Sequence, residues 1–199
     1  GTCTKGRICF SGTGKRRIAM GKFSEQIETS HREFIARQHM FFTGTAPLGE
    51  HAHVNISPKG LDSFRILSEH RVAYMDLIGS GNETSAHLQE NGRITLMFCS
   101  FEKVPNILRL YGKGFVVTRK HALWDELSGH FPIYESSRQL IVADIHLVQT
   151  SCGYGVPLYE YQGERSIHFD WAERKGKEGL ERYMQEKNTI SLDRLSIDL

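Results

Sequence analysis

A glycine turn near the middle of the chain carries four side chains that can donate hydrogen bonds. These are Ser80, Asn82, Thr84 and Ser85. A run of strand-forming residues precedes the turn, and a helical pattern over residues 83–90 follows it. The first turn of a helix presents free backbone N–H groups and the positive end of the helix dipole, which together bind anions. This pattern therefore predicts a site for a phosphate-bearing ligand.

The same turn matches neither of the common nucleotide-binding motifs. Gly79-Ser80-Gly81 begins like the dinucleotide fingerprint, but Thr84 occupies the place of the third glycine, and no lysine follows as in a Walker loop. A second interpretation is a capped helix with Asn82 at its N-cap, which needs no ligand.

Two basic residues are the next candidates for holding an anion. Lys59 follows a segment in which His53, Asn55 and Ser57 alternate with apolar residues, as in a half-exposed strand. A lysine on the turn after that strand is suited to an anion, although an exposed turn lysine explains it equally well. Arg109 lies between two leucines, and a charge on an apolar strand usually has a partner, a ligand or a subunit interface beside it.

Histidines and cysteines give weaker indications of chemistry. His51 and His53 leave one face of their strand, but no HExxH or CxxC spacing supplies further ligands, so we expect no metal. Cys152 lies in a glycine-rich turn, where a reactive thiol and a packing role are both open. The sequence has no GxSxG nucleophile motif.

Composition restricts the class of protein. The chain has 199 residues, 39% hydrophobic and 24% charged, with a net charge of +2 and four scattered cysteines. These values predict one globular domain over residues 20–199, without a nucleic-acid or membrane partner, in a reducing cytoplasmic setting. Residues 1–19 are basic and lack acidic residues, and we interpret them as a disordered N-terminal extension or an expression remnant.

The elements that must position these residues are mostly strands. Alternation and apolar runs predict strands at 40–46, 51–57, 71–78, 93–100, 107–118, 139–149 and 156–161. Helices are predicted at 24–38, 83–90, 119–129 and 171–187. Strands that are separated by turns favour an antiparallel sheet, and the simplest architecture is a partly closed barrel with flanking helices.

The order HAHVNISPKG, then VAYMDLIGSGNETSAHLQENGRITLMF, then LRLYGKGFVV resembles the pyridoxamine 5′-phosphate oxidase-related, FMN-binding split-barrel proteins. The resemblance extends over residues 20–195. It implies an α+β fold with a six-stranded antiparallel split barrel, a homodimer, and FMN at the subunit interface. The residues that it implies in cofactor binding are His53, Asn55, Ser57, Lys59, Asp76, Ser80, Asn82, Thr84, Ser85, Arg109, Cys152 and Tyr154.

The function expected from the resemblance is an FMN-dependent oxidoreductase that transfers hydride to or from an unidentified small molecule. Gly81, Asn82 and Glu83 replace the basic residues of the true oxidases' phosphate turn, and no arginine-and-histidine motif follows Trp171. Oxidation of pyridoxamine phosphate itself is therefore not expected. The alternatives are a flavin carrier or sensor without turnover, and a reductase that uses a deazaflavin.

Overall fold

The computed structural model describes residues 21–199, so the predicted extension at 1–19 lies outside the described residues. The strands are β1 Lys22–Ser24, β2 Phe41–Thr45, β3 Asn55–Lys59, β4 Phe64–Ile66, β5 Arg71–Leu77, β6 Arg93–Cys99, β7 Ile107–Thr118 and β8 Ser137–Ser151. The helices are α1 Thr29–Ala36, α2 Glu83–Glu90, α3 Trp124–Ser128 and α4 Ile167–Lys187, and α4 is kinked at Gly176.

All strand pairs are antiparallel and form one sheet in the order β3-β2-β6-β7-β8-β5-β4, with β1 added along β8. Contacts between distant strands show that the sheet curls. Phe64 on β4 contacts Phe41 on β2 and Phe98 on β6, and the ring centroids are 5.1 Å apart in both pairs. This confirms the predicted fold class, a mainly antiparallel split barrel with flanking helices.

The curled sheet buries two separate apolar groups. Its inner face carries alternate residues of β2, β5, β6, β7 and β8, and α1 and α2 pack against this face. The outer face of β5 and β8 is covered by α3 through Trp124 and Leu127. The outer face of β2, β3 and the first half of β7 has no such cover among residues 21–199. Ile56 on β3 and Val54 just before it are each 69% exposed.

Several predicted elements are corrected by the structure. The structure has eight strands in residues 21–199 instead of the expected six: β4 forms where a loop was predicted, and β1 forms just before the helix predicted at 24–38, with Ser24 in common. Residues 156–161 form no strand. The strand predicted at 51–57 lies at 55–59, and the helix predicted from residue 24 begins at Thr29. Within residues 21–199, no helix has the length and apolar character needed to cross a membrane.

Candidate functional site

A buried cluster of three charged side chains lies where β3 approaches β5 and β8. Asp76 accepts hydrogen bonds from Lys59 Nζ at 2.8 Å and from Arg138 Nη2 at 2.6 Å, and its side chain is 3% exposed. Gln139 Nε2 also donates to Asp76, at 3.0 Å. Lys59 and Asp76 point inward because β3 and β5 each alternate between the two faces of the sheet. With two positive charges and one negative, the cluster keeps a net positive charge.

The pKa values in this cluster favour the charged forms. Burial alone would raise the pKa of Asp76, but the charges of Lys59 and Arg138 outweigh it and hold that pKa below its ordinary value. Burial would likewise lower the pKa of Lys59, but Asp76 outweighs it and the pKa is raised. Burial raises the pKa of the neighbouring Tyr74 to about 12, so its hydroxyl stays protonated at physiological pH.

A second hydrogen-bonded group joins β3 to α2. Asn55 Nδ2 donates to Thr84 Oγ1 at 3.1 Å, and Ser57 Oγ donates to Asn55 Oδ1 at 3.1 Å. Asn55 Nδ2 also donates to Thr45 Oγ1, which lies 3.0 Å from His87 Nδ1. Burial lowers the pKa of His87, which favours the neutral ring. Three of the predicted cofactor residues therefore lie together, and they bind one another.

The start of α2 differs from the open anion site that its sequence predicts. Asn82 is the N-cap residue, but its side chain makes no capping hydrogen bond and instead accepts one from Gln139 Nε2 at 2.8 Å. The chain returns to this point near its C-terminus, where Asn188 accepts from Arg138 Nη1 at 2.6 Å and Leu192 N donates to Glu83 Oε1 at 2.9 Å. Among the four hydroxyl and amide residues of the turn, Ser80 is the exposed one.

Lys59 and Ser80 meet at a cavity of about 780 Å³. We call it the cationic cavity. Its other walls come from the segment before α4 and from α4 itself, and they include Tyr161, Arg165, Trp171 and Arg174. The volume lies within the range of about 300–1,000 Å³ that is typical of small-molecule sites. Aromatic walls and several cations suit a planar ligand that carries a negative charge.

The remaining predicted residues lie apart from this cavity. His53 contacts the carboxylate of Asp193 twice. Its backbone N donates to Oδ2 at 2.8 Å, and its Nδ1 lies 2.7 Å from Oδ1. Ser85 is fully buried and accepts a hydrogen bond from Gln89. Cys152 is an exposed free thiol, and Tyr154 is 79% exposed.

Arg109 lies on the outer face of the sheet. Its Nη1 donates to Ser151 Oγ at 3.1 Å. Pairings through β6 and β2 place it in one row with Pro58 at the rim of the cationic cavity. Three strand spacings of about 4.8 Å separate the two residues, which is beyond the reach of an arginine side chain. Within one subunit, Arg109 therefore does not join the other predicted residues.

The sequence reasoning missed several residues of the site. Arg138 and Gln139 begin the apolar run of β8, and the argument applied to Arg109, a charge beside an apolar run, would also have singled out Arg138. Asn188, Trp171 and Arg174 had no such signal, because they join the site only through the packing of α4 and the C-terminal residues.

Antiparallel strands that curl around an inner core define a split barrel, and the cationic cavity at one end of β3 has the volume of a small-molecule site. The family model described as Pyridoxamine 5'-phosphate oxidase matches residues 27–152. This chain belongs to the pyridoxamine 5'-phosphate oxidase family.

The protein is similar to the pyridoxamine 5'-phosphate oxidase family protein ustO of Aspergillus flavus, with 43% identity over 143 residues. That match covers 69% of this chain and 57% of the relative, so the chain spans less than two thirds of the relative's length. Two solved structures are more distantly similar. HupZ of Group A Streptococcus has 18% identity and a TM-score of 0.47, with 61% of this chain and 91% of that chain covered. An FMN-binding protein of Syntrophomonas wolfei has 16% identity and a TM-score of 0.42, with 59% and 80% covered.

Proposed function

We propose that this protein binds FMN in the cationic cavity and acts as an oxidoreductase on a small molecule. The observation that carries the proposal is the meeting of Lys59 and Ser80 at one cavity, since each comes from a different segment with a predicted anion site. Membership of the pyridoxamine 5'-phosphate oxidase family supports the same ligand class.

The residues around the cavity fit a ligand with a phosphate group and a planar ring. Lys59, Arg138 and Asp76 leave one net positive charge behind the cavity wall, Arg165 and Arg174 add two at its surface, and Glu164 removes one, which leaves two net positive charges. A phosphate carries up to two negative charges, which this arrangement balances.

Each wall has a definite part in the proposed reaction. Flavin supplies the hydride chemistry when it is bound. Lys59 is fixed by Asp76 and raises the local positive potential, and the Ser80 hydroxyl, which lines the same cavity, would donate to a phosphate oxygen. Trp171 and Tyr161 would offer aromatic surfaces against which the ring could pack.

The working unit in this proposal is a cytoplasmic homodimer. Val54 and Ile56 are each 69% exposed, and beside them Phe42 pairs with Met97 on the outer face of β2 and β6, which gives an apolar surface. Such a surface suits a second copy of the chain, and it contains Arg109, which reaches a flavin only across a subunit interface. Light scattering should give about twice the chain mass of 22.7 kDa. A mass of one chain would refute the dimer and leave Arg109 outside the site.

The first test is the absorbance spectrum of the protein purified from cells, with the released chromophore identified by chromatography. If the bound FMN is bleached by NAD(P)H or by a reduced small molecule, the result supports the oxidoreductase function. FMN that no donor reduces favours a flavin carrier or sensor. Weak FMN binding with tight deazaflavin binding favours the deazaflavin reductase.

A matched pair of variants on α4 tests the place of binding. Arg174 lines the cationic cavity, whereas Arg182 on the same helix is exposed and lies outside it. Arg174→Ala should weaken FMN binding about two- to fivefold, because an exposed ion pair contributes up to about 1 kcal/mol. Arg182→Ala should leave it unchanged. Equal effects of the two changes in a fluorescence titration would place the flavin elsewhere.

A further inference from the structure

A second cavity, of about 520 Å³, adjoins the cationic cavity at the end of the barrel. We call it the aromatic cavity. Its wall includes Phe41, Phe64, Phe98, Tyr134 and Phe169. Both cavities touch His39 and Tyr161, whose rings stack with centroids 3.6 Å apart and planes within 1° of parallel. This stacked pair therefore forms part of the wall between two neighbouring binding spaces.

Ser63 gives the aromatic cavity a polar group that the protein does not use. Ser63 is among the residues that line the cavity, it is 7% exposed, and its hydroxyl oxygen is buried without a hydrogen-bond partner among residues 21–199. A buried hydroxyl without a partner is unfavourable, so a group that binds it gains a free energy that is larger than usual. The backbone carbonyl of Ser63 accepts from Met75 N at 2.8 Å, which fixes the residue in place.

The segment that positions Ser63 is strained. Leu61 and Asp62 both have positive φ angles, 62° and 53°, in the left-handed region that favours glycine. Two such residues in succession persist only when surrounding contacts hold them, and strain of this kind is concentrated at ligand-binding sites. Arg65 supplies contacts of this kind, since it donates to the Asp62 carboxylate at 2.8 and 3.0 Å.

The charges around the aromatic cavity select against anions. The charged side chains that line it, within the described part of the chain, are Asp62 and Glu164. Asp62 is paired with Arg65, and Glu164 accepts from the Tyr161 hydroxyl at 3.0 Å. Glu164 also lines the cationic cavity, but Lys59, Arg165 and Arg174 line only the cationic cavity. The aromatic cavity therefore lacks the cations that would favour an anion.

We propose that the aromatic cavity binds an uncharged aromatic molecule with one hydroxyl or similar group, which hydrogen-bonds to Ser63 Oγ. The assignment of this molecule as the reaction partner of a bound flavin rests on the proposed function, but its binding does not. The size, the aromatic lining and the unpaired hydroxyl each point to that chemistry.

The test uses 4-fluorophenol and 4-fluorotoluene, two probes of nearly the same shape, with ¹⁹F NMR titration of the whole chain. Both should bind, and 4-fluorophenol should bind more tightly. Ser63→Ala should weaken 4-fluorophenol roughly 2- to 12-fold, the range expected for one hydrogen bond, and 4-fluorotoluene less than about 2-fold. Ser100→Ala is the control, since Ser100 is also buried but lies outside the cavity and accepts from Glu102 N. It should leave both affinities unchanged.

Thermal unfolding of Ser63→Ala shows whether the variant is folded, and loss of an unpaired buried hydroxyl should leave the midpoint unchanged or raise it. No binding of either probe would overturn the proposal, as would an equal effect of Ser63→Ala on both. FMN should not displace 4-fluorophenol, and displacement would mean that the aromatic cavity is not a separate site. If FMN fails to bind while 4-fluorophenol binds as expected, the flavin function fails and the aromatic cavity stands.

Discussion

Removal of the Asp76 charge is expected to be the most damaging conservative change near the site. Asp76→Asn keeps the shape of the side chain but leaves Lys59 and Arg138, whose side chains are 23% and 5% exposed, without a counter-ion. Breaking a buried ion pair on one side costs about 3–5 kcal/mol. Because Lys59 retains some contact with water, we expect about 3 kcal/mol, the lower end of that range.

The exposed pair between Arg71 and Asp144 is the matched control. Its Nε–Oδ1 distance is 2.6 Å, as short as the shorter bond of the buried cluster, but the side chains are 45% and 51% exposed. Asp144→Asn should therefore cost at most about 1 kcal/mol in urea unfolding. If Asp76→Asn costs no more than Asp144→Asn, the buried cluster does not stabilise the fold as described.

The same variant has a definite dependence on pH. The pKa of Asp76 in the folded protein lies below its ordinary value of 3.8. Its stabilisation is therefore fully present above that ordinary value and is lost as the pH falls through the folded pKa. The difference in unfolding free energy between the wild type and Asp76→Asn should be constant from about pH 5 to 7 and should shrink below about pH 4. A difference that grows on acidification would contradict the assignment.

Two further changes test the packing that holds the site. Gly112→Ala should destabilise the protein by about 1–3 kcal/mol in urea unfolding, because a Cβ there would lie 2.5 Å from the backbone oxygen of Asp144. Gly155→Ala is its control, with no described atom within 4 Å, and equal midpoints for the two would contradict the close approach of β7 and β8. Leu110→Ala, at a fully buried position, should cost about 2–5 kcal/mol. Val104→Ala, at a residue 76% exposed, should cost under about 0.5 kcal/mol, and a comparable loss would place Leu110 outside the core.

Local sequence pattern was sufficient for much of the fold. The strand at 107–118 and the helix at 83–90 have the predicted bounds, because a long alternating run and a clear turn identify such elements from neighbouring residues alone. The strand predicted at 51–57 was placed too early, since Pro58 and Lys59 were interpreted as a turn. Proline is tolerated on an edge strand, and β3 pairs only with β2 among the described residues.

The site could be predicted only in part, because its contacts span long distances along the chain. Lys59 and Ser80 were found from local anion-binding patterns, and the structure brings both to one cavity. Their neighbours make contacts across long stretches of the chain. Arg138 is 62 residues from its partner Asp76, and Asn188 is 106 residues from its partner Asn82. Curling of the sheet and the return of the C-terminal residues create those contacts, and no local pattern encodes either.

The central claim is that the cationic cavity recognises a flavin through its phosphate. Its most direct test is a comparison of FMN with riboflavin, which lacks the phosphate, by fluorescence titration of the same protein preparation. We predict that FMN binds at least about tenfold more tightly, since hydrogen bonds to a charged group are worth roughly 1.5–3 kcal/mol. Equal affinity for the two flavins, or no binding of either, would contradict the account.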